Sequence, residues 1–266
     1  MSAFNPEYFN IGHLDTLSYR HTFVHDLNPV IKLIVTLVFI LLVVSFPKYE
    51  IQGIVPFFMF PLFMIIAGEI PAGVIFKKLL VVSPFVLFIG IFNPMLDKEI
   101  IYRVFGVPVS GGWISYGSLI IRFILTVSSA LLLIATTSFP GICLALEKLR
   151  VPKIFIVQLL FLYRYTFVLA EEVMKIIKAR NMRSFGKKGK DIKSFISITG
   201  VLLVRSIERS ERIYQAICSR GFDGQIRLLK DFRLRGTDIL FALVTISIFI
   251  IFRKYAIADM LGGLLI

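Results

Sequence analysis

The sequence predicts an all-α, polytopic membrane protein, and its composition, its long apolar segments and its uneven charge lead to that fold class. Of the 266 residues, 57% are apolar and 18% are charged, and the mean hydropathy is +0.83. Soluble domains carry about 45–50% apolar and about 25% charged residues. The apolar excess lies in runs long enough to cross a bilayer, which excludes a soluble enzyme, a disordered chain and a secreted disulfide scaffold.

Five segments are predicted to span the membrane, since a spanning helix needs about 20 mostly apolar residues. Pro56 and Pro61 should kink the second segment, and residues 74–76 can lengthen the short third one. Arg122 is the one charge deep in a span. Such a residue usually faces the interior of the helix bundle, pairs with a partner or marks a pathway, and otherwise it extends to the outer headgroups. The five segments are residues 30–46, 51–68, 79–92, 114–137 and 238–252.

The basic excess is confined to one part of the chain. Residues 1–137 carry a formal net charge of +1, residues 138–237 carry +12, and residues 238–266 carry zero. Because Lys and Arg resist translocation, the basic segment should lie in the cytoplasm, and the N-terminus with it. The predicted organisation is a cytoplasmic N-terminal segment at 1–29, four membrane helices at 30–137, a cytoplasmic region at 138–237, and a last membrane helix with its tail at 238–266.

Two long helices are predicted inside the basic segment. The first covers about residues 153–185, with Pro152 before it and no internal glycine, and its first half is nearly all apolar. Arg164 and the charged residues after it indicate a helix that leaves the membrane helices rather than another span. The second covers about residues 192–220 and carries an apolar stripe on one face. A loop rich in glycine and lysine, residues 186–190, should join them.

The sequence contains no phosphate-binding loop, no dinucleotide fingerprint and no zinc-protease helix. Three histidines lie near the N-terminus, His13, His21 and His25. The last two could share a helix face as metal ligands, although a hydrated segment is the ordinary interpretation. Cys143 and Cys218 are 75 residues apart and form no thiolate motif. We therefore expect no catalytic residue, no metal and no cofactor in this chain.

Each long helix of the basic segment ends in a small residue, an arginine, and then an asparagine or a glycine. The triplets are Ala179-Arg180-Asn181 and Ser219-Arg220-Gly221. Asparagine and glycine tolerate the left-handed conformation that ends many helices, so each triplet could be an ordinary cap with a cation near the negative helix end. Two such triplets, each at the end of a long helix of the basic segment, are more informative than a single one.

These features resemble the transmembrane T component of energy-coupling factor (ECF) transporters, the EcfT/CbiQ family, with a cobalt- or nickel-type CbiQ-like member included. The resemblance covers most of the chain and includes both triplets. Asn181 departs from the family pattern, in which Gly or Ser is common. The other segments that carry it are His25-Asp26-Leu27-Asn28-Pro29-Val30-Ile31-Lys32-Leu33, Tyr163-Arg164-Tyr165 with Glu171 and Glu172, and Ser219-Arg220-Gly221-Phe222-Asp223-Gly224.

The resemblance implies that Arg180 and Arg220 seat in grooves of two cytoplasmic ABC ATPase subunits, which are identical or different. It also implies a membrane-embedded S component that captures a micronutrient, such as a cobalt or nickel ion or a vitamin, at the inner membrane of a prokaryotic cell. The chain would hydrolyse no ATP, and nucleic acid is not an expected partner. The alternative is a membrane enzyme for a lipid or isoprenoid substrate, which would need clustered Asp or His residues at the membrane face.

The inferred topology predicts a labelling pattern for single cysteines introduced into a variant without Cys143 and Cys218. Cysteines at Lys188 and Asp231 should resist a membrane-impermeant thiol reagent in intact cells and react after lysis, because the basic segment stays in the cytoplasm. A cysteine at Lys98 should react in intact cells. The reverse pattern would overturn the predicted orientation.

Overall fold

The computed structural model describes residues 17–20, 22–96, 100–104, 107–183, 192–224 and 234–254. These residues form two compact units: a membrane unit, which contains the described residues of 11–145 and 232–266, and a hairpin unit, which contains the described residues of 146–231. Apart from two short strands, the elements are helical, which confirms the predicted all-α, polytopic class.

The elements follow one another closely along the chain. Two of them, the antiparallel strands β1 and β2, were not predicted from the sequence. In chain order the elements are α1 (Phe23–Asp26), α2 (Pro29–Val44), a 3₁₀ helix (Gln52–Phe58), α3 (Met59–Ala67), α4 (Ala72–Gly90), α5 (Phe92–Leu96), β1 (Ile100–Val104), β2 (Val107–Ser110), α6 (Gly111–Thr136), α7 (Phe139–Lys148), α8 (Lys153–Arg183), α9 (Ile192–Cys218) and α10 (Gly236–Lys254).

Among the described residues, four helices are long and apolar enough to cross a membrane: Ala72–Pro94, α6, Lys153–Arg180 of α8, and α10. The first two predicted spans form shorter apolar helices instead. The 16 residues of α2 reach about 24 Å, less than the roughly 30 Å of a bilayer core. Pro56 lies within the 3₁₀ helix and Pro61 within α3, and the predicted kink of this segment stays a prediction. The charge pattern placed α8 in the cytoplasm, whereas its length and composition also suit a membrane span. Its cytoplasmic position stays a prediction.

Phenylalanines join four helical elements in the core of the membrane unit: α2, the 3₁₀ helix, α3 and α10. The ring centroid of Phe39 on α2 lies 5.9 Å from that of Phe57, 4.7 Å from that of Phe60 and 5.3 Å from that of Phe249 on α10. Aromatic pairs at these separations stabilise packing beyond the area they bury. Helix α6 packs through smaller buried side chains, which let helix backbones approach closely. They include Ser118, Ser128, Ser129 and Ala135.

The ends of three helices meet at one side of the membrane unit. Near the start of α2, Lys32 Nζ donates to the carbonyl of Thr136, the last residue of α6, at 2.7 Å. The backbone N–H of Asn28, just before α2, donates to Oδ1 of Asp238 in the first turn of α10 at 3.1 Å. Helices α2 and α10 therefore run in one direction and α6 in the opposite one. The predicted topology requires this alternation, while the compartment on each side stays a prediction.

Arg122 has a partner at the other end of α2. Its guanidinium donates to the carbonyl of Pro47, in the turn that follows the helix. Arg253 of α10 donates to the carbonyl of Ser45 at 3.1 Å, and its guanidinium carbon lies 4.0 Å from the ring centroid of Phe46. Two cations thus meet carbonyls at the negative end of α2. Of the alternatives that the sequence left open for Arg122, the structure shows pairing with a partner, the carbonyl of Pro47.

Candidate functional site

The two long helices of the hairpin unit, α8 and α9, pack antiparallel. Glu172 of α8 lies between two arginines of α9, with N···O distances of 3.6 Å to Arg205 and 3.0 Å to Arg209. Toward the start of α8, the ring centroid of Phe161 lies 6.4 Å from that of Phe222, just past the end of α9. The end of α8 therefore lies beside the start of α9, and the start of α8 lies beside the end of α9. This antiparallel arrangement determines the position of each triplet.

The predicted bounds of both helices agree with the structure to within two residues. The first was expected over about 153–185 and forms Lys153–Arg183, and the second was expected over about 192–220 and forms Ile192–Cys218. The predicted loop at 186–190 lies outside the described residues. Continuous helix is expected here, because both segments lack proline and are rich in good helix formers.

A cavity of about 590 Å³ separates α8 and α9 between their two contact points. Its walls are mostly apolar and aromatic, and Arg209, which bonds Glu172, lies at its edge. The helices are thus held by the ion cluster at one level and by Phe161 and Phe222 at another. The lining residues include Tyr165, Leu169, Ile213, Tyr214 and Ile217.

The second triplet ends α9 in a Schellman motif. Gly221 has a φ of +77°, and the N–H of Phe222 donates to the carbonyl of Ile217 at 3.1 Å. This pattern satisfies a carbonyl of the last turn and needs a residue that adopts the left-handed conformation, as predicted for the glycine. Ser219 and Arg220 are exposed at the tip. The arginine therefore projects from a rigid turn.

The first triplet, Ala179-Arg180-Asn181, lies within the last turns of α8 rather than after them. The helix continues to Arg183, so the predicted left-handed cap at Asn181 is wrong. Asparagine tolerates that conformation without requiring it, and the Met and Arg that follow are good helix formers. Ala179 is exposed and Arg180 is half-buried.

The structure does not bring the two arginines together. Arg220 lies two residues before Phe222, which contacts Phe161, whereas Arg180 lies 19 residues beyond Phe161 along α8. At 1.5 Å per residue, that separation along the helix is about 28 Å. The two triplets therefore present two distinct surfaces at opposite ends of the α8–α9 contact.

His25 lies in α1, where its Nδ1 is 2.7 Å from the Thr22 hydroxyl oxygen. Burial first, and then the charge of Lys32, lower the pKa of His25 below its ordinary value. Both effects favour the neutral ring. His13 and His21 lie outside the described residues, and within the described part of the chain no group of three His, Cys, Asp or Glu side chains could hold a metal ion.

Residues 20–229 match the family model CbiQ, described as cobalt transport protein. The chain belongs to this family. An uncharacterised protein of Methanocaldococcus jannaschii is 26% identical over 253 residues, or 92% of this chain and 94% of that protein. The energy-coupling factor transporter transmembrane protein EcfT of Staphylococcus aureus is 28% identical over 256 residues, or 89% and 94%. The cobalt transport protein CbiQ of Rhodobacter capsulatus is 29% identical over 98 residues, or 36% and 40%.

As a CbiQ-family member, the chain is a multi-pass membrane component of a transporter. The matched residues include both arginine triplets and the entry segment of α2, which are the segments on which the resemblance rested. Helix α10 lies beyond the match, and its contacts with α2 come from the structure alone.

Glu172 is the part of this site whose role the sequence did not predict. Arg205 and Arg209 are one helical turn apart, which indicates a shared acidic partner on a neighbouring helix. The choice of that partner depends on the register of α8 against α9, which no local pattern encodes.

Two of the open glycines of the hairpin unit, Gly221 and Gly200, give a matched test of the tip geometry. Gly221→Ala should destabilise the end of α9 by about 1–2 kcal/mol, because a left-handed φ is unfavourable for alanine. Gly200→Ala, in the interior of the same helix, should stabilise it by roughly 0.5–1 kcal/mol. A Cβ at either position meets nothing within 4 Å, so sterics are matched. Amide hydrogen exchange over 215–222 measures both, and equal effects would contradict the Schellman geometry.

Proposed function

We propose that this CbiQ-family chain is the scaffold and coupling subunit of an energy-coupling factor importer. Two cytoplasmic ABC ATPase subunits, identical or different, bind the hairpin unit. A membrane-embedded S component captures the substrate, a cobalt or nickel ion or a vitamin. The chain lies in the inner membrane of a prokaryotic cell with residues 1–29 and 138–237 in the cytoplasm, and the ATPase activity resides in the partners.

The separation of Arg180 and Arg220 is the observation that supports this function best. One partner groove is too small to hold two side chains about 28 Å apart along a helix pair. Two subunits can each hold one. The different local settings, a helical turn for Arg180 and a Schellman tip for Arg220, allow the two ATPases to be identical or different.

Arginine suits such a contact, because its planar guanidinium stays charged and pairs with a carboxylate through two parallel hydrogen bonds. Each arginine also lies on a long helix that Glu172 braces against its neighbour. A displacement at either tip is therefore passed along a stiff element rather than lost in a loop. The +12 charge of residues 138–237 favours approach of acidic surfaces.

The alternative, a membrane enzyme for a lipid or isoprenoid substrate, has less support. Such an enzyme needs clustered Asp or His side chains, and among the described residues no group of three metal-ligating side chains occurs. The family match is to transport proteins. No observation on this chain favours the enzyme.

Charge reversal of either arginine should impair assembly with the ATPases and leave the membrane unit folded. If Arg180 and Arg220 fill acidic grooves, Arg180→Glu and Arg220→Glu should each cost about 2–5 kcal/mol of binding, roughly 30-fold or more in affinity. Co-purification of the co-expressed ATPases measures the loss, and the double variant should lose ATP-driven uptake altogether.

Lys178→Glu and Arg212→Glu are the matched controls, because both residues are exposed on the same two helices but outside the triplets. They should retain most of the bound ATPase. Equal losses in all four variants would mean diffuse electrostatic attraction, and the two-arginine arrangement would be wrong.

A further inference from the structure

A cluster of buried polar groups lies where the start of α2 meets the end of α6 and the start of α10. Lys32, Asn28 and Asp238 are each 2% exposed, and Thr136 is 1% exposed. Charged side chains buried this deeply in a membrane protein are rare and costly, and they are usually tied to a specific task. Neither the arginine triplets nor the family match assigns one to this cluster.

Lys32 joins α6 to the entry segment of the chain. Its Nζ donates to the carbonyl of Thr136 at 2.7 Å and to the carbonyl of His25 at 3.2 Å. Thr136 is the last residue of α6, and the carbonyls of a last helical turn have no donor within their own helix. The lysine therefore supplies the end of α6 with a cation that also holds α1.

Asp238 joins α10 to the same segment. Its Oδ1 accepts the N–H of Asn28 at 3.1 Å, and its Oδ2 accepts the N–H of Arg235 at 2.8 Å. The second bond resembles half of a capping box at the start of α10. The side chain of Asn28 in turn accepts the N–H of Val30 at 3.0 Å and caps α2. One carboxylate thus connects two helix starts that are 210 residues apart in the chain.

Both covalent connections of the hairpin unit lie close in sequence to residues of this cluster. The chain enters the hairpin unit at Leu146, ten residues after Thr136, and leaves it after Asp231, seven residues before Asp238. Helix α7, on the first connection, also packs on the cluster, since a Cβ on Gly141 would lie 3.5 Å from Pro29 Cγ. The two connections therefore join the hairpin unit covalently to the end of α6 and to the start of α10, which the cluster links.

We infer that the segment His25–Lys32 and Asp238 form a clamp that makes the end of α6 and the start of α10 move as one body when the ATPases displace the hairpin unit. The inference rests on the proposed function and assigns positioning residues to it. Without the clamp, the end of α6 and the start of α10 would move independently of each other. ATP hydrolysis would then proceed without a concerted movement of the membrane helices.

Lys32→Met and Asp238→Asn each open one half of the clamp with little change in side-chain size. Thr36→Val is the control, because Thr36 is also 2% exposed and its hydroxyl donates within α2, to the carbonyl of Lys32 at 2.8 Å. Each chain is co-purified with its ATPases in lipid nanodiscs. Phosphate release measures hydrolysis, and hydrogen exchange of α6 and α10 is compared between nucleotide-free and vanadate-trapped complexes.

In the wild type and in Thr36→Val, trapping should change exchange in α6 and α10. In Lys32→Met and Asp238→Asn, hydrolysis should persist while that change falls about tenfold, within the usual range of coupling between sites. Clamp variants that hydrolyse ATP and respond like the wild type would overturn the inference. So would a loss of the same size in Thr36→Val, which would indicate general destabilisation.

The wild-type complex gives a second measurement that requires no variant to fold. The N–H groups of Asn28 and Arg235 should stay protected from exchange in both nucleotide states, since a clamp must hold throughout the cycle. Rapid exchange of either one in either state would overturn the inference. A wild-type chain that binds no ATPase would instead overturn the proposed function, so the two failures are distinct.

Discussion

Helix ends leave backbone groups without a partner in their own helix, and the membrane unit satisfies several of them with charged side chains from other helices. At one side, Lys32 serves the end of α6 and Asp238 serves the starts of α2 and α10. At the other side, Arg122 and Arg253 serve the turn after α2. Charged side chains from distant parts of the chain therefore set which helix ends meet. The phenylalanine core between the two sides only has to fill the space that these contacts define.

The hairpin unit differs, because the arginines of its two triplets are not buried: Arg220 is exposed and Arg180 is half-buried. Its two helices are joined by the bonds of Glu172 to α9 and by the contact of Phe161 with Phe222, with a cavity between. Such a pair is held at two levels along its length. The antiparallel register places Arg180 and Arg220 at opposite ends of this contact.

The sequence predicted what depends on local pattern and missed what depends on register. Apolar periodicity and the absence of proline predicted α8 and α9 to within two residues, and the need for a left-handed residue predicted the cap at Gly221. The cap predicted at Asn181 was wrong, because asparagine tolerates the conformation that ends a helix without requiring it. Asn28 and Asp238 are 210 residues apart in the chain, and no local sequence pattern predicts that they form a hydrogen bond. The contacts of Glu172 with α9 needed the helix register in the same way.

We propose that one copy of this chain holds two ATPase subunits at the two ends of its hairpin unit. Native mass spectrometry of the wild-type chain, co-expressed with its ATPases and released from detergent, tests it most directly. We expect a complex of one chain with two ATPase subunits, and loss of one ATPase at a time as the activation energy is raised. A complex with a single ATPase, or a chain that carries none, would contradict it.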